Sequence, residues 1–254
     1  MLGRGLRNLL VLVAAAAVIY GASLFGRVAG ILAALAVLIG FGMVLFWLPR
    51  AAHKAFRRGN YPRARLIYRV LRRCYVSLAA RAAVDVSIAA CEIARTRFDE
   101  ALRWLNRVDH DSLSDAARAA WHNNHAYALA RGGTDPEQAL TSIEEAIALR
   151  PDVGGFRHTR GVVLLALGRT DEAIRVLDEL WTELAGNEKV ALLEAERCYD
   201  LGRAWNSKGE HDYAVDYFER ARRAAPDSTW AIRASEHLPP VVRRHEALAE
   251  FLEA

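Results

Sequence analysis

Acid is missing from the front of this chain: the first Asp or Glu is Asp85. Residues 1–84 hold 13 Lys and Arg and carry +13, while residues 85–254, with 21 basic and 30 acidic side chains, carry −9, giving the net +4. So one-sided a distribution points that end toward an anionic surface. Charge of either sign is scarce between residues 9 and 48, where Arg27 stands alone. The three cysteines, Cys74, Cys91 and Cys198, are far apart with no Cys-x-x-Cys. That supports neither a disulfide framework nor a zinc ribbon, and reads as helix-packing thiols in a reducing compartment. Alternation of apolar and polar residues is nowhere sustained over five positions, so no strand is expected. Nucleophile elbow, phosphate loop, dinucleotide fingerprint and Ser-His-Asp context are all absent, so no enzyme is expected. His122 and His125 stand at i, i+3, but zinc needs three or four ligands and no third is indicated. Neither a metal nor a cofactor is expected, and Glu144-Glu145 reads as a helix-surface pair.

Two uncharged runs occupy the scarce region: Leu9–Phe25, 17 residues, and Val28–Leu48, 21 residues. As a helix the second is about 31 Å long, close to the roughly 30 Å of a hydrocarbon core. The first is shorter, about 25 Å. A single helix through both would be about 60 Å, too long for one crossing. Arg27 at mid-bilayer would cost roughly 3 kcal/mol, which places it at an interface and the turn at Ser23 to Arg27. We expect a two-helix transmembrane hairpin over residues 1–49, with spans about 7–25 and 28–48. Gly21, Gly30, Ala33, Ala34, Gly40 and Gly42 would let the spans approach closely, and permit a homo-oligomer. The alternative for the first run is a cleaved signal peptide begun by Arg4 and Arg7, although no small-x-small site follows it.

The positive-inside bias then puts both termini on the cytoplasmic face of an inner (plasma) membrane. Pro49 suits the first turn of a new helix and marks an expected kink. Beyond it, Arg50, Lys54, Arg57, Arg58, Arg63, Arg65, Arg69, Arg72 and Arg73 form a collar with no acid. Contact with anionic lipid head groups is worth about 1 kcal/mol per charge; the alternative is a solvated helix face. A nucleic-acid partner is not expected, because no binding fold is present and the remainder is −9.

From Phe156 to Leu184, two helical patterns flank Gly168-Arg169-Thr170. Small Gly161 sits in the first, and Ala173, Leu177 and Leu180 share one face of the second. Gly161 and Ala173 remove bulk where two antiparallel helices would touch. The unit resembles a tetratricopeptide repeat. It recurs with Gly202, Trp205, Gly209, Ala214, Phe218, Ala221 and Pro226, and earlier with Tyr127, Ala139, Ile143, Ala146 and Pro151, with Ile88, Ala89, Ala101 and Leu105, and with Gly59, Ala64 and Tyr68. Spacings of 37, 38, 34 and 41 residues separate Ala64, Ala101, Ala139, Ala173 and Ala214. The expected fold is all-α: the hairpin, then an α-solenoid of about five repeats over 50–227, then capping helices over 228–254. The last of these carries Val241, His245, Leu248, Phe251 and Leu252.

The resemblance implies a concave groove lined by the first helix of each repeat and holding a peptide or partner helix. The matching positions are Val86, Ala90 and Ile93; Asn123, Asn124 and Tyr127; His158, Val162 and Leu165; and Tyr199, Arg203 and Asn206. The Lys and Asn clamp by which chaperone-tail binders of the family hold a carboxylate is absent. An apolar groove with Asn side chains fits an amphipathic helix; the alternative for Val162 and Leu165 is packing inside the superhelix. The expected function is a membrane-anchored adaptor or scaffold for a protein partner. The alternative is an assembly or quality-control factor for a membrane complex, with the hairpin contacting the client.

Overall fold

The computed structural model describes residues 2–180 and 191–239, with side chains from Val11 onward. All regular structure among them is helical. Two compact units divide within one helix, Met1–Ala128 and Leu129–Ala254.

The first unit opens with α1 (Leu2–Ser23) and α2 (Arg27–Gly42), which pack on each other across a short turn. A Cβ added at Gly30 would lie 3.0 Å from that of Ser23, so only glycine allows the helices this close where they meet. The outer faces are bare: Val18 is 57% exposed and Leu38 67%. Pro49 does not interrupt the helix. One π turn, Met43–Trp47, joins α2 to α3 (Leu48–Arg57), giving an unbroken helix from Arg27 to Arg57. Proline has no N–H to give the preceding turn, and the π register closes it instead, with Leu48 N–H bonding to the Met43 carbonyl. The Arg50 guanidinium donates to the Phe46 carbonyl at 3.0 Å. This 31-residue helix is long and apolar enough to cross a membrane. Its last apolar turns are not bare, because Val44 and Leu48 pack against Leu71, Val84 and Ile88.

α4 (Tyr61–Cys74), α5 (Leu78–Ile93) and α6 (Phe98–Leu105) follow, each against its neighbour. Asn60 and Ser77 cap α4 and α5 by accepting from Arg63 N–H and Ala80 N–H, satisfying donors a helix start leaves open. α7 (Asp115–Gly132) spans the division. The second unit continues with α8 (Pro136–Leu149), α9 (Gly154–Ala166), α10 (Thr170–Glu179), α11 (Ala191–Ser207), α12 (His211–Ala224) and α13 (Thr229–His237). The final segment, with Val241, His245, Leu248, Phe251 and Leu252, lies outside the described residues.

The small residues act where expected. A Cβ on Gly161 would meet Leu177 at 2.6 Å, and one on Gly202 would meet the Phe218 ring at 2.6 Å. Ala64, Ala101, Ala139 and Ala173 are fully buried, and Ala214 nearly so. In four of the five helix–turn–helix segments the turn is closed by a glycine at positive φ: Gly59, Gly133, Gly168 and Gly209. In the second the position falls to Thr96, at φ 56°.

Candidate functional site

The expected groove residues divide by exposure. Val86, His158, Val162 and Tyr199 are buried in the chain's own core, so as packed they present no surface to a partner. Ala90, Ile93, Asn123, Asn124, Tyr127 and Leu165 are half-buried, and Arg203 and Asn206 are exposed. Several already have partners. Asn124 donates to the Val86 carbonyl at 3.5 Å, and Asn206 Oδ1 pairs with His211 Nδ1 at 3.0 Å. Tyr127 lies against Phe98, ring centroids 6.3 Å apart. The Asn123 side-chain oxygen is buried without a hydrogen-bond partner, while its Nδ2 donates to Asn124 Oδ1 at 3.4 Å.

His122 and His125 belong to an aromatic cluster. His125 stacks on Trp121 at 4.6 Å and His110 meets the same ring edge-on at 3.9 Å, while the indole N–H donates to the Leu105 carbonyl at 3.0 Å. Among the described residues, His158, Glu196 and Asp200 bring three potential ligand atoms within 4.8 Å of one another. The space between them is taken. Arg131 makes two hydrogen bonds to Asp200, at 2.9 and 2.6 Å, and one to Glu196 at 2.8 Å. Its guanidinium lies over the Trp230 ring, 4.8 Å from the centroid. Asp200 is fully buried, and His158 Nε2 stands 3.8 Å from it without a hydrogen-bond partner. A dication there would have to displace an arginine already bonded to both carboxylates, so the donor set fits a structural ion-pair network and not a metal.

The basic collar is smaller than its sequence count. Arg72 pairs with Asp85 at 2.5 Å, and Arg65 pairs with Glu92. Both acids are buried on α5, at 4% and 1% exposure, so the first two carboxylates of the chain neutralise two collar arginines from inside. Burial pushes the Asp85 carboxyl above its usual range despite the Arg72 hydrogen bond. Arg50, Lys54, Arg57, Arg58, Arg63, Arg69 and Arg73 remain exposed. The sequence did hold a signal for the pairing. Arg65 and Arg72 are seven residues apart, as are Asp85 and Glu92, and two turns of one antiparallel helix meet two turns of the next in reverse order.

Beside the collar lies a cavity of about 600 Å³. Phe41, Leu45, Pro49 and His53 form one wall, and Tyr68 and Ala83 belong to the other. Cys74, the exposed thiol of the three, also lines it. Nothing in the sequence pattern pointed to this space, because its walls come from three helices.

A model of the tetratricopeptide repeat family matches residues 128–197. No curated protein matches the chain in sequence. Among solved structures, a thermophilic TPR protein of Thermus thermophilus is 19% identical, with 74% of this chain and 95% of that one covered at a TM-score of 0.52. A putative kinesin light chain of Podosopora anserina, with nearly identical TPR-like repeats, is 18% identical over 71% and 93%, at a TM-score of 0.48. The family match and the fold shared with the Thermus protein together support a tetratricopeptide-repeat protein.

Proposed function

We propose that this chain is a membrane-anchored, non-catalytic scaffold whose repeats hold a protein segment at the cytoplasmic face of an inner membrane. One observation carries the reading: the apolar helix continues without a break into the first helix of the repeats. A helix whose apolar outer face is bare, in a chain that buries a core elsewhere, fits lipid better than water. Phe46 and Trp47, 56% and 71% exposed, sit just before the first collar arginine, where aromatic side chains mark a membrane interface. Seven exposed basic groups follow on the side that the positive-inside bias makes cytoplasmic.

The repeats supply the binding part. Half-buried Ala90, Ile93 and Tyr127 in the first unit, and Leu165 in the second, offer apolar contact to an amphipathic segment. Arg203 adds an exposed charge. Affinity capture from detergent extract of the native cell tests the reading. The unaltered chain should retain a polypeptide that the Tyr127→Ala, Arg203→Glu double variant loses. Equal recovery by both refutes the groove, and release of the protein by alkaline carbonate refutes the anchor.

A further inference from the structure

We infer that the cavity between the long helix and α4–α5 takes one acyl chain of an anionic phospholipid whose head group rests on the basic collar. The inference rests on the reading that α2 lies in a bilayer. Its first support is shape. Along the long helix the wall runs from Phe41 to His53, about 18 Å at 1.5 Å per residue. The volume of about 600 Å³ lies within the roughly 300–1,000 Å³ of small-ligand sites. The second support is polarity. Ser77 and Ser87 lie among mainly apolar walls, and Ser87 Oγ already bonds to the Ala83 carbonyl at 3.0 Å.

The third support is charge at the rim. Arg50 and Lys54 flank His53 on one wall, and Arg73 precedes Cys74 on the other; all three are exposed. The nearest acids in sequence, Asp85 and Glu92, are buried and paired with Arg72 and Arg65. The lining segments therefore carry exposed cations, and the first carboxylates that follow them in the chain are already paired. Leu66 and Val70, 63% and 40% exposed, lie on the face of α4 that carries Arg69 and Arg73. An apolar stripe edged with arginine suits a helix resting in the head-group layer.

The experiment uses the full chain in lipid nanodiscs. Phosphatidylglycerol with a photoactivatable group near its acyl terminus should label residues on α4 and α5, such as Tyr68 and Val84, as well as the long helix. Ala83→Trp and Ala80→Trp, which fill the slot, should each abolish the α4–α5 label and leave that on residues 28–38. Continued protection of Cys91 from alkylation verifies that each variant is folded. The matching phosphatidylcholine probe should label α4–α5 at least fivefold less, about 1 kcal/mol for one lost charge contact. Lys54→Glu with Arg73→Glu should erase that preference. Persistent label in a folded slot-filled variant, or a polypeptide cross-linked there instead of lipid, overturns the inference. Equal labelling by both lipids overturns its anionic part. If alkaline carbonate strips the protein from membranes, the anchor reading falls as well. If the protein stays embedded and α4–α5 carry no label, the slot alone is refuted.

Discussion

Replacing Arg131 by methionine removes the cation bonded to a fully buried carboxylate. Arg131 is 7% exposed at its side chain and Asp200 is 0%. Three hydrogen bonds join the arginine to Asp200 and Glu196, the longest 2.9 Å. Without it, Asp200 keeps its desolvation cost and loses its partner, a change worth about 3–5 kcal/mol at buried pairs. Methionine preserves helix propensity, so α7 itself is not weakened. A repeat array opens locally, so a global unfolding midpoint would blur the effect. Cys198 provides a local reading, because it is fully buried and two residues from Asp200 on α11. When reclosing outpaces the reagent, its alkylation rate follows the opening equilibrium. The rate in Arg131→Met should then rise by roughly two to almost four powers of ten, at about 1.36 kcal/mol per power. Cys91, in the other unit, serves as the unaffected reference. Adding Asp200→Leu should recover most of the loss, since an apolar replacement of both partners is often neutral. Acceleration below tenfold, or no recovery in the double variant, would refute this view of the network.

Thr96→Gly should stabilise the first unit by about 1 kcal/mol, because a β-branched residue at positive φ is strained and glycine is not; faster alkylation of buried Cys91 contradicts this. Gly202→Ala should destabilise the second unit by about 1–3 kcal/mol as the new methyl meets the Phe218 ring, with relief in Gly202→Ala plus Phe218→Leu, read by Cys198 protection. Burial raises the Cys91 thiol to about 12 and pushes Cys198 up further. Both should therefore stay thiols, and unmodified in the folded chain, as pH rises through the mildly alkaline range where exposed Cys74 is modified; peptide mass mapping against time decides it, and early loss of Cys91 contradicts the burial.

The helix pairs were legible because close packing leaves a local trace. Gly161 faces Leu177 and Gly202 faces Phe218 within one repeat, so small residues at fixed spacing mark the contact. The second segment's turn was harder to find because Thr96 stands where a glycine would have marked it. The Arg131–Asp200 bond joins residues 69 apart on helices that are not consecutive, and no periodic pattern encodes such a reach. The pattern left the inward turn of Val162 open and gave no sign of it for Val86, His158 and Tyr199, for a related reason. Helix periodicity names a face but not what covers it, and here the chain covers it itself. The collar showed as composition, while the removal of Arg65 and Arg72 from it depended on the pairing register of α4 with α5.

The continuous helix from Arg27 to Arg57 makes the direction of the first repeat a matter of counting. An α-helix turns about 100° per residue, so one residue inserted between Gly42 and Leu48 would swing Ala52 and Ala55, which α4 now covers, a quarter-turn or more round the axis. A flexible tether would absorb such an insertion unnoticed. Here azimuth is set by length, and only additions near a multiple of whole turns would leave the repeats facing as they do.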